Sequence, residues 1–508
     1  MRAKRYLVIV ALFALLLISL PYLIGFQANS SGEQFGGFLI NPVDGHSYIA
    51  KMQQGNEGDW KFQLPYTSQP GEGAYLFLFY LGLGHLSRIL GISPLYVFHG
   101  ARLLASLGLI FVIYQMLQAL FNDDKAIKTG LLLALFGSGL GWLAVLAGGF
   151  TADFWVAEAY PFLSMYTNPH FTLGLGLMIF SLLPEIRDRL FPNLLSGLLL
   201  GIIQPFGVVI ISLVKIMGGG WLIIQQKEKA KHVLRSDWFW SVFGFCLAGG
   251  SVILYQYWAI LSDPVLSQWN QQNITAKPEL LDLLISLSPV MILGITGARR
   301  AWTNETGKLL IYWAGVCLGL VFIPWSLQRR FLTGIYFPLA ILSVFGLEIL
   351  ANRTSLNYRQ WLILVVFLAI PTNLIILVSG FQGISERNTS IYLDQDLAAG
   401  LKWIATNTNE DDLVLAAPED GLYVPSYTGR RVIYGHPFET VQAEQERAFL
   451  EGIFFNGKED DYYDSALEKR AVDYVLINRN QAQDFNRWLG ENWLLSYQSD
   501  EFLIYARR

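Results

Sequence analysis

GAYLFLFYLGLGHLSRIL, residues Gly73 to Leu90, is the stretch on which the architecture turns. It is apolar and long enough to approach the roughly 30 Å hydrocarbon core of a bilayer at about 1.5 Å per helical residue. It also carries His85 and Arg88 and is rich in glycine, so it could instead lie along the membrane surface. If it crosses, every loop after it changes side.

The rest of the chain supplies the test. Of 508 residues 53% are hydrophobic and 15% charged. The apolar residues gather in runs near twenty long, which excludes an ordinary soluble fold and predicts a polytopic membrane protein. Apolar stretches fall at 7–26, 96–121, 129–148, 170–185, 190–205, 206–226, 238–261, 281–297, 309–326, 331–350 and 360–380. Cytoplasmic loops are enriched in Lys and Arg. If Gly73–Leu90 stays on the surface, sixteen basic residues, from Arg2 to Arg359, fall on the inner side, and only Lys51, Lys61, Arg88, Lys277, Arg329 and Arg330 fall outside before residue 380. If it crosses, every inner group after the first is exported. The surface reading is therefore preferred.

A second choice concerns PNLLSGLLLGIIQPFGVVIISLVKIMGGGWLII (Pro192 to Ile224), whose 33 residues are too long for one crossing. The break at Gln204-Pro205 divides it in two, which keeps the basic loop QQKEKAKHVLRSDW (Gln225 to Trp238) inside. Eleven crossings follow, with the N-terminus cytoplasmic. MRAKRYLVIVALFALLLISLPYLIGF (Met1 to Phe26) has a basic flank and no convincing small-x-small cleavage site, so it reads as a retained anchor.

The C-terminal part then lies outside, beginning near Ser385. Residues 381–508 hold 12 Lys+Arg against 22 Asp+Glu, whereas the first 380 hold 24 against 18. An acidic face of this kind excludes nucleic acid as a partner. A helix-like segment (DQDLAAGLKWIATN, Asp394 to Asn407) alternates with β-rich runs: DLVLAA, RRVIYG, VDYVLI and FLIYAR. These predict a compact α/β domain at 381–508 beside a transmembrane core at 1–380, whose first outer loop spans 27–95. Cys246 and Cys317 both sit in apolar runs, so neither a disulfide nor a thiolate metal site is implied.

Three polar concentrations fall on the outer side of this topology. The first is NPVDGHSYIAKM (Asn41 to Met52), with Asp44, His46 and Tyr48. The second is GGFTADFWVAEAYPFLSMYTNPHF (Gly148 to Phe171), with Asp153, Glu158 and His170. The third is SLQRRF (Ser326 to Phe331), with Arg329 and Arg330. An outward Asp near the membrane can accept a proton from a hydroxyl or help hold a divalent cation, and either suits group transfer from a phosphate-linked donor. A lone acid in a loop is more commonly just solvated. Asp44-Gly-His46 has an acid-x-ligand spacing compatible with a metal, and equally with an ordinary loop histidine. Asp153 and Glu158 lie among aromatics that could stack on a sugar ring or simply sit at the interface. His170 follows Asn168-Pro169, where capping is the commoner role. Arg329 and Arg330 run against the positive-inside trend. A lipid phosphate held by the two-pronged guanidinium would account for them, as would a headgroup, and Arg102 in FHGARLLASL is a third candidate.

Taken together, NPVDGHSYIAKMQQG, the loop QLPYTSQPGEGAYLFLFYLGLGHLSRILGIS and YVFHGARLL resemble the opening of GT-C superfamily glycosyltransferases, which include protein O-mannosyltransferases and aminoarabinose transferases. The likeness covers about the first 120 residues well and the remainder mainly in topology. It implies that Asp44 is a catalytic acid in a degenerate DxD-like motif, that helices on the membrane surface follow it, and that Asp153 or Glu158 supplies a second acid. It further implies a bacterial plasma-membrane enzyme whose partners are a polyprenyl-phosphate-linked sugar, a lipid, glycan or protein acceptor, and membrane lipids; a divalent cation is compatible with it. The paired Asp-Glu of the O-mannosyltransferases and the WWD-type tail motif of the oligosaccharyltransferases are missing, so neither of those acceptors is indicated. The tail stretch APEDGLYVPSYTGRRVIYGHPFET (Ala417 to Thr440) carries no recognisable catalytic signature. A lipid-linked saccharide flippase or other transporter would place charges within the spans, which here are nearly free of them. A non-catalytic envelope assembly protein with an acidic outer domain is the third alternative.

Overall fold

The computed structural model describes residues 2–30, 32–226, 233, 235–455, 461–481 and 492–508. Lys227, Lys229 and Lys231 of the expected inner basic loop lie outside the described residues. Each of the apolar stretches read from the sequence contains helix. Among the described residues, five helices are long and apolar enough to cross a membrane: Arg5–Gln27, Pro94–Leu120, Asp237–Ser262, Gln328–Arg353 and Tyr358–Ser385. Leu280–Leu287 and Val290–Ala301, bent by 74°, make a sixth if they count as one span. The chain is a multi-pass membrane protein on these helices.

The remaining apolar stretches are shorter or broken. The run at 129–148 divides into Asp124–Phe136 and Gly141–Leu146. The helix Leu190–Ile203 stops before Pro205, which opens Pro205–Gln226, because proline removes a helical N–H and crowds the residue before it. Helix length by itself therefore supports five or six crossings and does not establish eleven.

Gly73–Leu90 resolves into two parts. Ala74 pairs with Phe62 in an antiparallel bridge, and the helix occupies only Leu78–Leu90. Its 13 residues reach about 20 Å, short of the bilayer core. The glycines have a packing purpose. A Cβ at Gly84 would collide with the Met52 carbonyl, and one at Gly55 with the Leu81 carbonyl, so the two small residues let this helix lie directly on the helix Pro42–Glu57.

The chain forms two compact units. The first comprises Met1–Pro21, His99–Tyr255 and Thr275–Gln382; the second comprises Tyr22–Phe98, Gln256–Ile274 and Gly383–Arg508. The first outer loop and the C-terminal segment, separate domains in the sequence reading, thus share one unit. Within it β1 (Glu33–Phe35) pairs antiparallel with β2 (Tyr392–Asp394). The larger sheet contains β3 (Leu413–Ala416), β4 (Arg431–Val432), β5 (Tyr474–Asn478), β6 (Trp493–Gln498) and β7 (Phe502–Arg507). Its order is β4-β3-β5-β7-β6, with β3 parallel to β4 and β5, and β7 antiparallel to β5 and β6.

Period-two alternation gives this sheet two buried faces. Leu413, Leu415, Val475, Ile477 and Leu503 pack with Leu450 and Ile453 of the helix Ala443–Phe455. Val414, Ala416, Leu476 and Ile504 turn to the other side, against Leu397, Leu401 and Ile404 of the helix Gln395–Asn407. Ala50 and Tyr66 from the first outer loop join that second core, so the loop is built into the sheet domain by apolar burial.

Candidate functional site

Asp44 stands in the first turn of the helix Pro42–Glu57, where the sequence reading had a loop. Pro42, with its fixed φ and no N–H to satisfy, opens the helix, and Asn41 precedes it at φ 50°. A carboxylate in the first turn is favoured by the N–H groups and the positive end of the helix dipole. Asn41 donates its side-chain amide to Oδ2 of Asp44. The Asp44 side chain remains 39% exposed, and Oδ1 lies 3.4 Å from Nε2 of His436, whose own side chain is 2% exposed.

The backbone fixes the state of His436. Its Nδ1 accepts the N–H groups of Phe438 at 3.1 Å and Glu439 at 3.2 Å, so that nitrogen carries no proton. The ring hydrogen of the neutral imidazole then sits on Nε2, the edge turned to Asp44. The turn that supplies these amides is anchored by a buried ion pair. Lys51, one face of the helix further along from Asp44, donates to both Glu439 oxygens at 2.7 and 2.9 Å and to the Ser47 hydroxyl at 2.7 Å; Ser47 in turn donates to Glu439 at 2.6 Å. The Lys51 ammonium lies 4.8 Å from the Phe77 ring centre and 5.5 Å from that of Phe62. Burial pushes the Glu439 carboxyl up, but the Lys51 charge, with the hydrogen bonds donated by Lys51 and Ser47, more than offsets it and holds it below the ordinary range.

His46 faces away from solvent. Its Nδ1 is 3.2 Å from the Ser426 hydroxyl, and its ring packs edge-on against Phe38 and Tyr423. Burial lowers its pKa to about 3, so it is a neutral packing residue at any physiological pH. Tyr48 stacks on Tyr80 with ring centres 4.6 Å apart, fixing the two surface helices to each other.

In the first unit, two of the three polar concentrations meet. Arg330 pairs with Glu158 at 3.2 Å, and the Arg329 guanidinium lies 4.8 Å from the Trp155 ring centre. Asp153 is fully buried, accepting from Thr151 Oγ1 at 2.6 Å and from the Gly141 N–H, at the start of a helix, at 3.0 Å. Burial raises its carboxyl against those hydrogen bonds. It therefore acts as a pin between the loop and that helix. Arg102, 1% exposed, donates to the carbonyls of Ile18, Met165 and Tyr166 at 3.0 to 3.1 Å, tying three segments of backbone. His170, in the first turn of Pro169–Leu182, packs on Phe171 with ring centres 3.9 Å apart.

The residues present do not make a cation cage. Among the described residues no group of three or more His, Cys, Asp or Glu comes together, and Glu439, the acid nearest in sequence to His436, already has Lys51 on both oxygens. Sequence reasoning missed His436, Glu439 and the structural use of Lys51. The one signal was rarity, six histidines in 508 residues, and nothing linked this one to the other end of the chain.

No family model matches the sequence, and no match is found among curated proteins. Solved structures of the oligosaccharyltransferase of Archaeoglobus fulgidus match over nearly the whole chain. The apo form aligns with a TM-score of 0.55 at 14% identity, covering 100% of this chain and 74% of that one. The form tethered with an acceptor peptide containing the NVT sequon gives 0.53 at 13%, covering 98% and 74%. The complex with an inhibitory peptide and a dolichol-phosphate gives 0.53 at 12%, covering 99% and 74%. At such identities the likeness is one of fold: the chain shares the fold of the Archaeoglobus fulgidus oligosaccharyltransferase structures.

Proposed function

We propose that the protein is a glycosyltransferase of the plasma membrane that moves a sugar from a polyprenyl-phosphate donor to an acceptor hydroxyl at the outer face, with Asp44 as general base. The observation that carries this reading is the setting of Asp44. A half-exposed carboxylate is held by Asn41 and a helix N-terminus on one side, and faces the N–H edge of a buried neutral imidazole on the other. A carboxylate so oriented can take a proton from a bound hydroxyl. The fold likeness to an enzyme solved with dolichol-phosphate and peptide supports a lipid-phosphate donor.

In the step itself Asp44 removes the acceptor proton as the acceptor oxygen forms a bond to the anomeric carbon. The bond from that carbon to the phosphate oxygen breaks, and the lipid phosphate leaves with its electron pair, so the configuration inverts. In the topology expected from the sequence, with an inner N-terminus and an outer C-terminal domain, the first outer loop lies where an exported donor would arrive. The deciding experiment is Asp44→Asn in membranes carrying the native lipid-linked sugars. Transfer should be abolished while expression and insertion stay unchanged; undiminished transfer would remove Asp44 as the base.

A further inference from the structure

A cavity in the first unit, which the proposed transfer does not use, is lined by Arg187, Asp188, Lys215, Trp238, Glu305 and Lys308 together with apolar wall. Its charges do not cancel. Arg187 faces Asp188 at 3.4 Å and Lys308 faces Glu305 at 2.6 Å, which leaves Lys215. That side chain is 3% exposed, and among the described residues no carboxylate lies within ion-pair distance of it. Its ammonium donates to the Ser181 carbonyl at 2.7 Å and to the Arg187 carbonyl at 3.5 Å. Two carbonyls and the Phe245 ring, 5.7 Å away, are weak compensation for an ammonium withdrawn from water, so burial by itself disfavours its charged form. A monoanion at the cavity would stabilise it.

We propose that this cavity binds the phosphate of an anionic membrane lipid, with Lys215 as the principal cation and Arg187 and Lys308 beside it. The wall favours a lipid over a free ion. Leu182 ends the apolar helix Pro169–Leu182, Leu309 lies in Glu305–Leu320, and Trp238 sits in the first turn of the span Asp237–Ser262, where an indole suits the interface. Gly218 opens the space, since a Cβ there would stand 2.7 Å from Leu309 Cδ2. In the topology proposed above this is the inner end of the spans, and basic pockets between spans on that side suit anionic headgroups. A phosphatidylglycerol headgroup carries the single negative charge that Lys215 lacks; phosphatidylcholine brings its own cation and leaves the imbalance. The site stands independently of the role of Asp44.

The test is equilibrium binding to the purified full chain in detergent, with dihexanoyl phosphatidylglycerol, dihexanoyl phosphatidylcholine and inorganic phosphate as probes. Phosphatidylglycerol should bind at least about tenfold more tightly than either of the others, and Lys215→Met should weaken it by at least about tenfold, the loss of one charge-assisted hydrogen bond. Gly218→Leu, which fills the space and leaves every charge in place, should weaken it similarly and decides the matter if Lys215→Met fails to fold. Phosphatidylglycerol affinity unchanged by Gly218→Leu or by a folded Lys215→Met would overturn the site. Inorganic phosphate binding as tightly as phosphatidylglycerol would overturn the lipid as its ligand.

Discussion

At the scale of single residues, the proposed chemistry rests on which nitrogen of His436 holds the proton. Two backbone amides occupy Nδ1, so only Nε2 can present a hydrogen to Asp44. In the proposed transfer His436 is thus a positioning residue, acting through Asp44. His436→Ala should lower the transfer rate by about 10²-fold with the acceptor KM unchanged, the scale of loss when a reacting group is misplaced by about 1 Å. His436→Gln, which keeps an N–H donor, should recover most of the rate; equal loss in both variants would point to folding instead. The Lys51–Glu439 pair is the other high-stakes contact. Lys51→Met strands a buried carboxylate and should cost about 3–5 kcal/mol in unfolding measurements, whereas Lys51→Met with Glu439→Leu should return near wild-type stability. Asp44 was marked out by the sequence as the proposed base; His436 was not, because tautomer and partner are set by folding and leave no local pattern.

At the scale of elements, the helix Pro42–Glu57 carries the site by packing three ways. It presents Asp44 at its first turn, lies on Leu78–Leu90 through Gly55 and Gly84, and sends Ala50 into the sheet core. His46 adds a pH dependence. Its folded pKa, about 3, lies below its ordinary 6.5, so the native state binds fewer protons there than the unfolded chain. Stability is then full above pH 6.5 and falls as pH drops toward 3, at up to about 1.4 kcal/mol per pH unit. Melting temperatures measured across that window should show the decline, and His46→Gln should flatten it. The glycine-rich character of Gly73–Leu90 was visible in the sequence. That its glycines meet the backbone of another helix, and that residues before Leu78 leave the helix for a bridge to Phe62, depended on contacts beyond any sequence window.

At the scale of the whole molecule, sidedness remains the most direct thing to measure. A reporter fused after Leu120 should be cytoplasmic and one fused at Ser385 exported; the reverse at either position would overturn the loop assignments and with them the outer placement of Asp44. By itself the sequence determined the helical membrane class, the break at Gln204-Pro205, and four of the strands of the C-terminal sheet. These follow from apolar run length, the missing proline N–H and the two-residue alternation of a strand, all properties of neighbouring residues. It also pointed to the GT-C fold through the first outer loop. Only the tertiary structure decided that this loop and the C-terminal segment form one unit, that His46 is buried packing, that Asp153 is a pin and Arg102 a tie between carbonyls, and that Glu158 meets Arg330. A buried polar side chain takes its role from whichever partner folding brings within hydrogen-bond reach; for Asp153 these are Thr151 and Gly141, and for the others they come from segments far away in the chain.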